Sequence, residues 1–144
     1  MTYTTKHEYI VRPAFSEVDN YKCAHHSRHL VWFENARFSM MFDKFHISEE
    51  ILQKYMFPVS DVYCKYYEPV RFGCDLVVRV VMEMDDAVPL LKFQYRILRV
   101  GDGKLMSKGK TTHVITDMEQ NILQGVPSEI CKAIKENEGE KECL

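Results

Sequence analysis

The feature that most constrains this chain is the stretch 27–44, which reads as a helix with apolar side chains on nearly every side. Leu30, Val31, Trp32, Phe33, Ala36, Phe38, Met40, Met41 and Phe42 cover most of its circumference at a 3.6-residue repeat. A helix apolar all round is buried all round, and in 144 residues only a sheet wrapped around it can do that. The remaining sequence supplies the strands. One precedes the helix, at 6–15, and four follow it in succession, at 57–68, 75–84, 90–100 and 104–116. The second of those four alternates, with Leu76, Val78, Val80, Met82 and Met84 on one face. Gly101-Asp102-Gly103 is a hairpin turn between the last two. Strands that run together, not alternating with helices, specify an α+β chain with an antiparallel sheet. Ser48-Glu49-Glu50 has the cap and first turn of a short second helix, and Pro127 opens a C-terminal one.

The length suits a single domain, 1–134, followed by a Lys- and Glu-rich tail, 135–144, expected to be solvated. A net charge of −2 argues against nucleic-acid binding by bulk charge. No apolar run approaches the roughly 18–20 residues of a membrane span, and the first residues lack a signal-peptide core, so a cytoplasmic protein is expected. The cysteines are odd in number and lack CxxC spacing, which fits reduced thiols better than a disulfide framework. G-x-S-x-G, G-x-x-x-x-G-K-[ST] and G-x-G-x-x-G are all absent, against an α/β-hydrolase or a phosphate-cradling loop.

Residues 15–37 read F-S-E-V-D-N-Y-K-C-A-H-H-S-R-H-L-V-W-F-E-N-A-R. This resembles the signature of the 4-hydroxybenzoyl-CoA thioesterase family: an aspartate after the first strand, Asp19, a histidine, His26, and a helix reading Leu-x-Trp-Phe-Glu-x-Ala-Arg from Leu30 to Arg37. Lys22 stands where the family usually has glycine. Tyr67 to Asp75, Gly103 to Val114 and Val126 to Ile130 match further family segments in order, so the resemblance spans about 6–134. It implies the hotdog fold, a curved antiparallel sheet wrapped around a long central helix. It also implies hydrolysis of an acyl-CoA thioester without metal or cofactor, in a homodimer or homotetramer with active sites between subunits.

By the resemblance, Asp19 attacks the thioester carbonyl or activates a water that does. A lone carboxylate suits this chemistry. A thiol pKa of about 8.5 makes thiolate a good leaving group, so the reaction needs a base or nucleophile and a stabiliser for the oxyanion. The first N–H groups of a helix, at the positive end of its dipole, are such a stabiliser. His26 is the candidate to orient the carbonyl or Asp19, with capping and packing as its other reading. His25 and His29 are candidate substrate contacts. They stand four apart, a spacing that also admits a metal, but no HExxH pattern accompanies them. Cys23 beside these histidines keeps a Cys–His nucleophile open. Glu34 reads as an ion-pair partner for Arg37. Arg71, Lys92, Lys108 and Lys110 are candidate CoA phosphate contacts on charge alone. Rival readings are a thioesterase for acyl carrier protein, a hotdog dehydratase or hydratase, and a non-catalytic acyl-CoA-binding module.

Overall fold

The computed structural model describes residues 2–19 and 21–137. Among these the chain order is β1 (Thr2–Val11), α1 (His26–Ser39), α2 (Glu49–Leu52), β2 (Tyr55–Met56), β3 (Val59–Tyr66), β4 (Leu76–Asp85), β5 (Leu90–Arg99), β6 (Leu105–Val114), β7 (Thr116–Asp117) and α3 (Ser128–Glu136). Five strands form one antiparallel sheet in the order β1-β4-β5-β6-β3, and β2 pairs with β7 apart from it. This is the α+β hotdog arrangement. Because β1 and β3 are opposite edges, the chain between them has to cross the sheet, and α1 makes that crossing on the inner face.

The inner face follows from strict alternation. Leu76, Val78, Val80, Met82 and Met84 of β4 and Leu91, Phe93, Tyr95 and Ile97 of β5 are all buried, with their neighbours turned outward. A one-residue bulge in β6, opposite Ile97 and Leu98, turns both Met106 and Ser107 inward. Gly109 is the flat spot on which α1 rests. Phe33 stacks on Tyr95 with centroids 4.5 Å apart, and a Cβ at residue 109 would lie 2.4 Å from its ring. Beside it runs a polar chain: Arg37 donates to the Tyr95 hydroxyl (3.2 Å), which is hydrogen-bonded to the Thr111 hydroxyl (2.6 Å), and Thr111 contacts His113 Nε2 (3.0 Å). His113 Nδ1 reaches the Phe57 carbonyl at 3.0 Å, so this buried network is satisfied throughout. Burial lowers the His113 pKa.

Three sequence expectations need correction. First, α1 is buried on one side only. His29, Trp32, Phe33 and Ala36 face the sheet, whereas Leu30, Val31, Phe38 and Phe42 are 36–46% exposed. The sheet of one chain curves around the helix without closing over it. Second, the helix does not keep one repeat. Met40–Lys44 is a π turn, closed by Phe45 N–H to the Met40 carbonyl at 3.1 Å, and this wider turn brings the fully buried Phe45 back to the core side. Third, β1 begins earlier and ends earlier than 6–15. Its first residues find partners along the far half of β4, and beyond Val11 the chain passes Pro13, which has no N–H, into a 3₁₀ turn at Phe15–Glu17.

α3 buries Ile130, Cys131 and Ile134 and continues to Glu136, two residues into the stretch read as tail; 138–144 lie outside the described residues. Among the described residues no helix is long and apolar enough to cross a membrane.

Candidate active site

Asp19 stands on a short hairpin between β1 and α1. A bridge from Val18 to Ala24 closes the hairpin, and Asp19 N–H donates to the Cys23 carbonyl at 3.1 Å. Inside the turn, Tyr21 N–H donates to Asp19 Oδ1 (2.8 Å) and Lys22 N–H to the Asp19 carbonyl (2.9 Å). Lys22 takes a φ of 62°, the left-handed region that favours glycine. The residue at which this chain departs from the resemblance is thus one whose backbone conformation explains a glycine there.

Two attachments hold the hairpin. Ala24 N–H donates to the Val70 carbonyl at 2.7 Å, and Cys23 bridges Arg71. On the other side, Glu17 accepts from Ala14 N–H (2.8 Å) and from the indole of Trp32 (2.9 Å). Trp32 lies in the second turn of α1 and is 2% exposed, so Glu17 ties the base of the Asp19 hairpin to the buried side of the helix.

α1 begins immediately after the hairpin. His25 is its N-cap, with Nδ1 accepting from Ser27 N–H at 3.3 Å. The exposed rings of His25 and His26 lie 4.1 Å apart. Tyr66, from edge strand β3, donates to the His26 carbonyl at 2.7 Å and presents its ring to His29 at 4.8 Å. His29 turns inward, 2% exposed, with Nδ1 2.7 Å from the Ser107 hydroxyl on the β6 bulge. Burial, and then the nearby His26, pushes the His29 pKa down to about 4, so this imidazole is neutral at pH 7. His25 and His29 therefore face different surroundings, and among the described residues no three His, Cys, Asp or Glu side chains form a metal-sized cluster.

A profile of the thioesterase-like superfamily matches residues 13–134. The chain belongs to that superfamily. No curated protein sequence matches it. Solved structures share the superfamily's fold: a 1,4-dihydroxy-2-naphthoyl-CoA thioesterase from Synechocystis (TM-score 0.82, 17% identity, covering 94% of this chain and 99% of that one). A DHNA-CoA thioesterase from Staphylococcus aureus superposes with a TM-score of 0.74 at 19% identity, covering 92% of this chain and 89% of that one. A gentisyl-coenzyme A thioesterase gives a TM-score of 0.74 at 16% identity, covering 87% and 99%.

Within this thioesterase-like chain, the candidate residues divide into two groups. Asp19, His25, His26 and His29 gather at the hairpin and the start of α1, and Arg71 joins them through its bridge to Cys23. Arg71 also lines a cavity of about 470 Å³ at the strand ends, with Phe72, Cys74, Asp75, Arg99 and Val100. Lys92, Lys108 and Lys110 lie on the opposite face of the sheet, alternating with the inward residues, and Lys92 faces Glu83 across the β4–β5 pair. Glu34 lies 3.9 Å from Arg37. Sequence reading missed Glu17 and Ser107. Glu17 had a faint signal, an acid three residues after Ala14 at a turn start, whereas Ser107 meets His29 across 78 positions and had none.

Proposed function

We propose that this chain hydrolyses an acyl-CoA thioester to a free acid and CoA, with Asp19 as the reacting carboxylate. One observation carries the reading: a superfamily of thioesterase-like proteins matches the chain, and its aspartate lies on a hairpin leading straight into the N-terminus of α1. As general base, Asp19 takes a proton from water while the water oxygen bonds to the carbonyl carbon. As nucleophile, its own oxygen makes that bond, and water later cleaves the resulting anhydride. In both routes the carbonyl oxygen becomes an oxyanion, the C–S bond breaks, and the thiolate leaves and picks up a proton. Ser27 N–H and Arg28 N–H are held by His25, so the oxyanion is met by His26 N–H, the first of α1, at the positive end of the helix dipole. Tyr66 steadies this first turn through the His26 carbonyl, and His26 orients the substrate.

The active unit is a homodimer paired through β3. Among the described residues that strand is a free edge, with Val59, Val62, Tyr63 and Tyr66 all 41–53% exposed, and an unpaired edge invites a partner strand. Asp19→Asn tests the reading in a thiol-release assay over short, long, branched and aromatic acyl-CoAs. Turnover should fall by about 10²–10⁴ with the fold kept. Wild-type turnover in that variant would remove Asp19 from the chemistry.

A further inference from the structure

The sheet register assembles a feature that no single stretch of sequence contains. Lys65 on β3 faces Lys108 on β6, Lys108 faces Arg96 on β5, Arg96 faces Arg79 on β4, and Arg79 faces Glu8 on β1. All lie on the face turned away from α1, and Lys65, Arg96 and Arg79 are exposed. Adjacent strands are about 4.8 Å apart, so the four cations make a row about 14 Å long. Among the described residues only Arg79 in this row has a carboxylate partner, Glu8 at 3.0 Å.

Like charges directly opposite one another destabilise a sheet, and here three consecutive cross-strand pairs are alike. Basic composition does not force this, because the chain carries a net charge of −2. The row is a single lane. On one side its neighbours are Ile10, Val77 and Leu98; on the other the next lane reads Lys6, Val81, Gln94, Lys110 and Tyr63, its two cations held apart by uncharged residues. A membrane or a nucleic acid would be met by a broad basic face; one lane suits a compact polyanion.

Its position points to the same substrate as the candidate site. Lys65 and Lys108 are the residues next to Tyr66 and Ser107, whose side chains reach His26 and His29 on the inner face. The row thus crosses the sheet behind the start of α1. Arg96 is three residues, about 10 Å, from Arg99 at the strand-end cavity. A path over the strand ends therefore joins the Asp19 hairpin to the row without passing through the sheet.

We propose that this row binds the phosphates of the nucleotide end of a CoA thioester while the acyl end lies at Asp19. This rests on the function proposed above and names what reads its carrier. The test is calorimetric titration of the wild type, Lys108→Glu and Arg96→Glu with free CoA and with pantetheine. CoA should bind more tightly than pantetheine in the wild type. Each reversal should weaken CoA binding about fivefold, the worth of an exposed charge pair, and leave pantetheine untouched. The difference should shrink as salt rises. Arg96→Glu, which sets a carboxylate between two cations, should also melt above the wild type without ligand. Unchanged CoA affinity in both reversals, or pantetheine binding as tightly as CoA, overturns the proposal. Lys108→Gln and Arg96→Gln replace any reversal that fails to fold. No thioester is cleaved in the titration, so the two readings fail separately. CoA bound through the row without hydrolysis of any thioester would sink the Asp19 chemistry and keep the row. Equal hydrolysis of acyl-CoA and acyl-pantetheine with silent reversals would do the opposite.

Discussion

Gly109→Ala probes the contact that seats α1 on the sheet. The new Cβ would stand 2.4 Å from Phe33 Cε2 and 2.8 Å from the Tyr63 carbonyl oxygen. Ordinary contacts are about 3.5–4.0 Å, so the ring has to retreat by about 1 Å. It has little freedom to do so, because Phe33 is 1% exposed and stacked on Tyr95, and the second obstacle is backbone. Overpacking of this kind costs about 1–3 kcal/mol. Against it, alanine at an ordinary strand position gains about 0.5–1 kcal/mol over glycine. The expected net loss is about 1–2 kcal/mol, or a fall in Tm of very roughly 3–8 °C for a chain this size. Gly101→Ala is the matched control: its Cβ meets nothing within 4 Å and its φ is not positive. It should melt at or slightly above the wild type. Calorimetric scans of all three proteins at one concentration decide the matter, since an oligomer's Tm depends on concentration. If Gly109→Ala melts as high as Gly101→Ala, Phe33 is not held as described and the seating argument fails.

Two further outcomes follow from groups near the site. His29 has a folded pKa of about 4 against 6.5 in a free chain, so between those values the unfolded state binds a proton that the folded state refuses. Its contribution is intact above pH 6.5 and is lost as pH falls toward 4, at most about 3 kcal/mol in all. His113 and His7 are lowered too and add to the same acid loss. The drop in urea midpoint between pH 7.5 and pH 5 should therefore be smaller in His29→Asn without vanishing, and an equal drop would refute the assignment. Lys22→Gly should stabilise the fold by about 0.5–1 kcal/mol by removing left-handed strain at φ 62°, read as a higher urea midpoint; a lower midpoint would mean that Lys22 makes a compensating contact.

Much of this architecture was legible from local pattern. The alternation from Leu76 to Met84 marks β4 because every second side chain meets the core, and Gly101-Asp102-Gly103 marks the turn before β6. Asp19 and His26 were singled out through a motif as candidates, and they lie at one hairpin and helix start. What stayed hidden depends on pairing. The His29–Ser107 contact needs a bulge that turns two successive β6 residues inward, and the row from Lys65 to Arg79 exists only once four strands are in register. The burial of α1 was overstated because a uniform helical repeat was applied across a π turn, and because apolar residues such as Phe38 and Phe42 can lie exposed on a single chain.

That π turn has a hereditary consequence. It holds one residue more than the α turn it replaces. Loss of one codon within 40–44 would convert it to an ordinary α turn, and the helix before it and Phe45 after it would keep nearly their present orientations. The same loss anywhere in His26–Ser39 would swing everything beyond it by about 100° and turn buried residues such as Met40 and Met41 out of the core. Insertions and deletions along this helix are thus filtered by the fold itself. Related genes that differ in helix length should carry the difference at this one place.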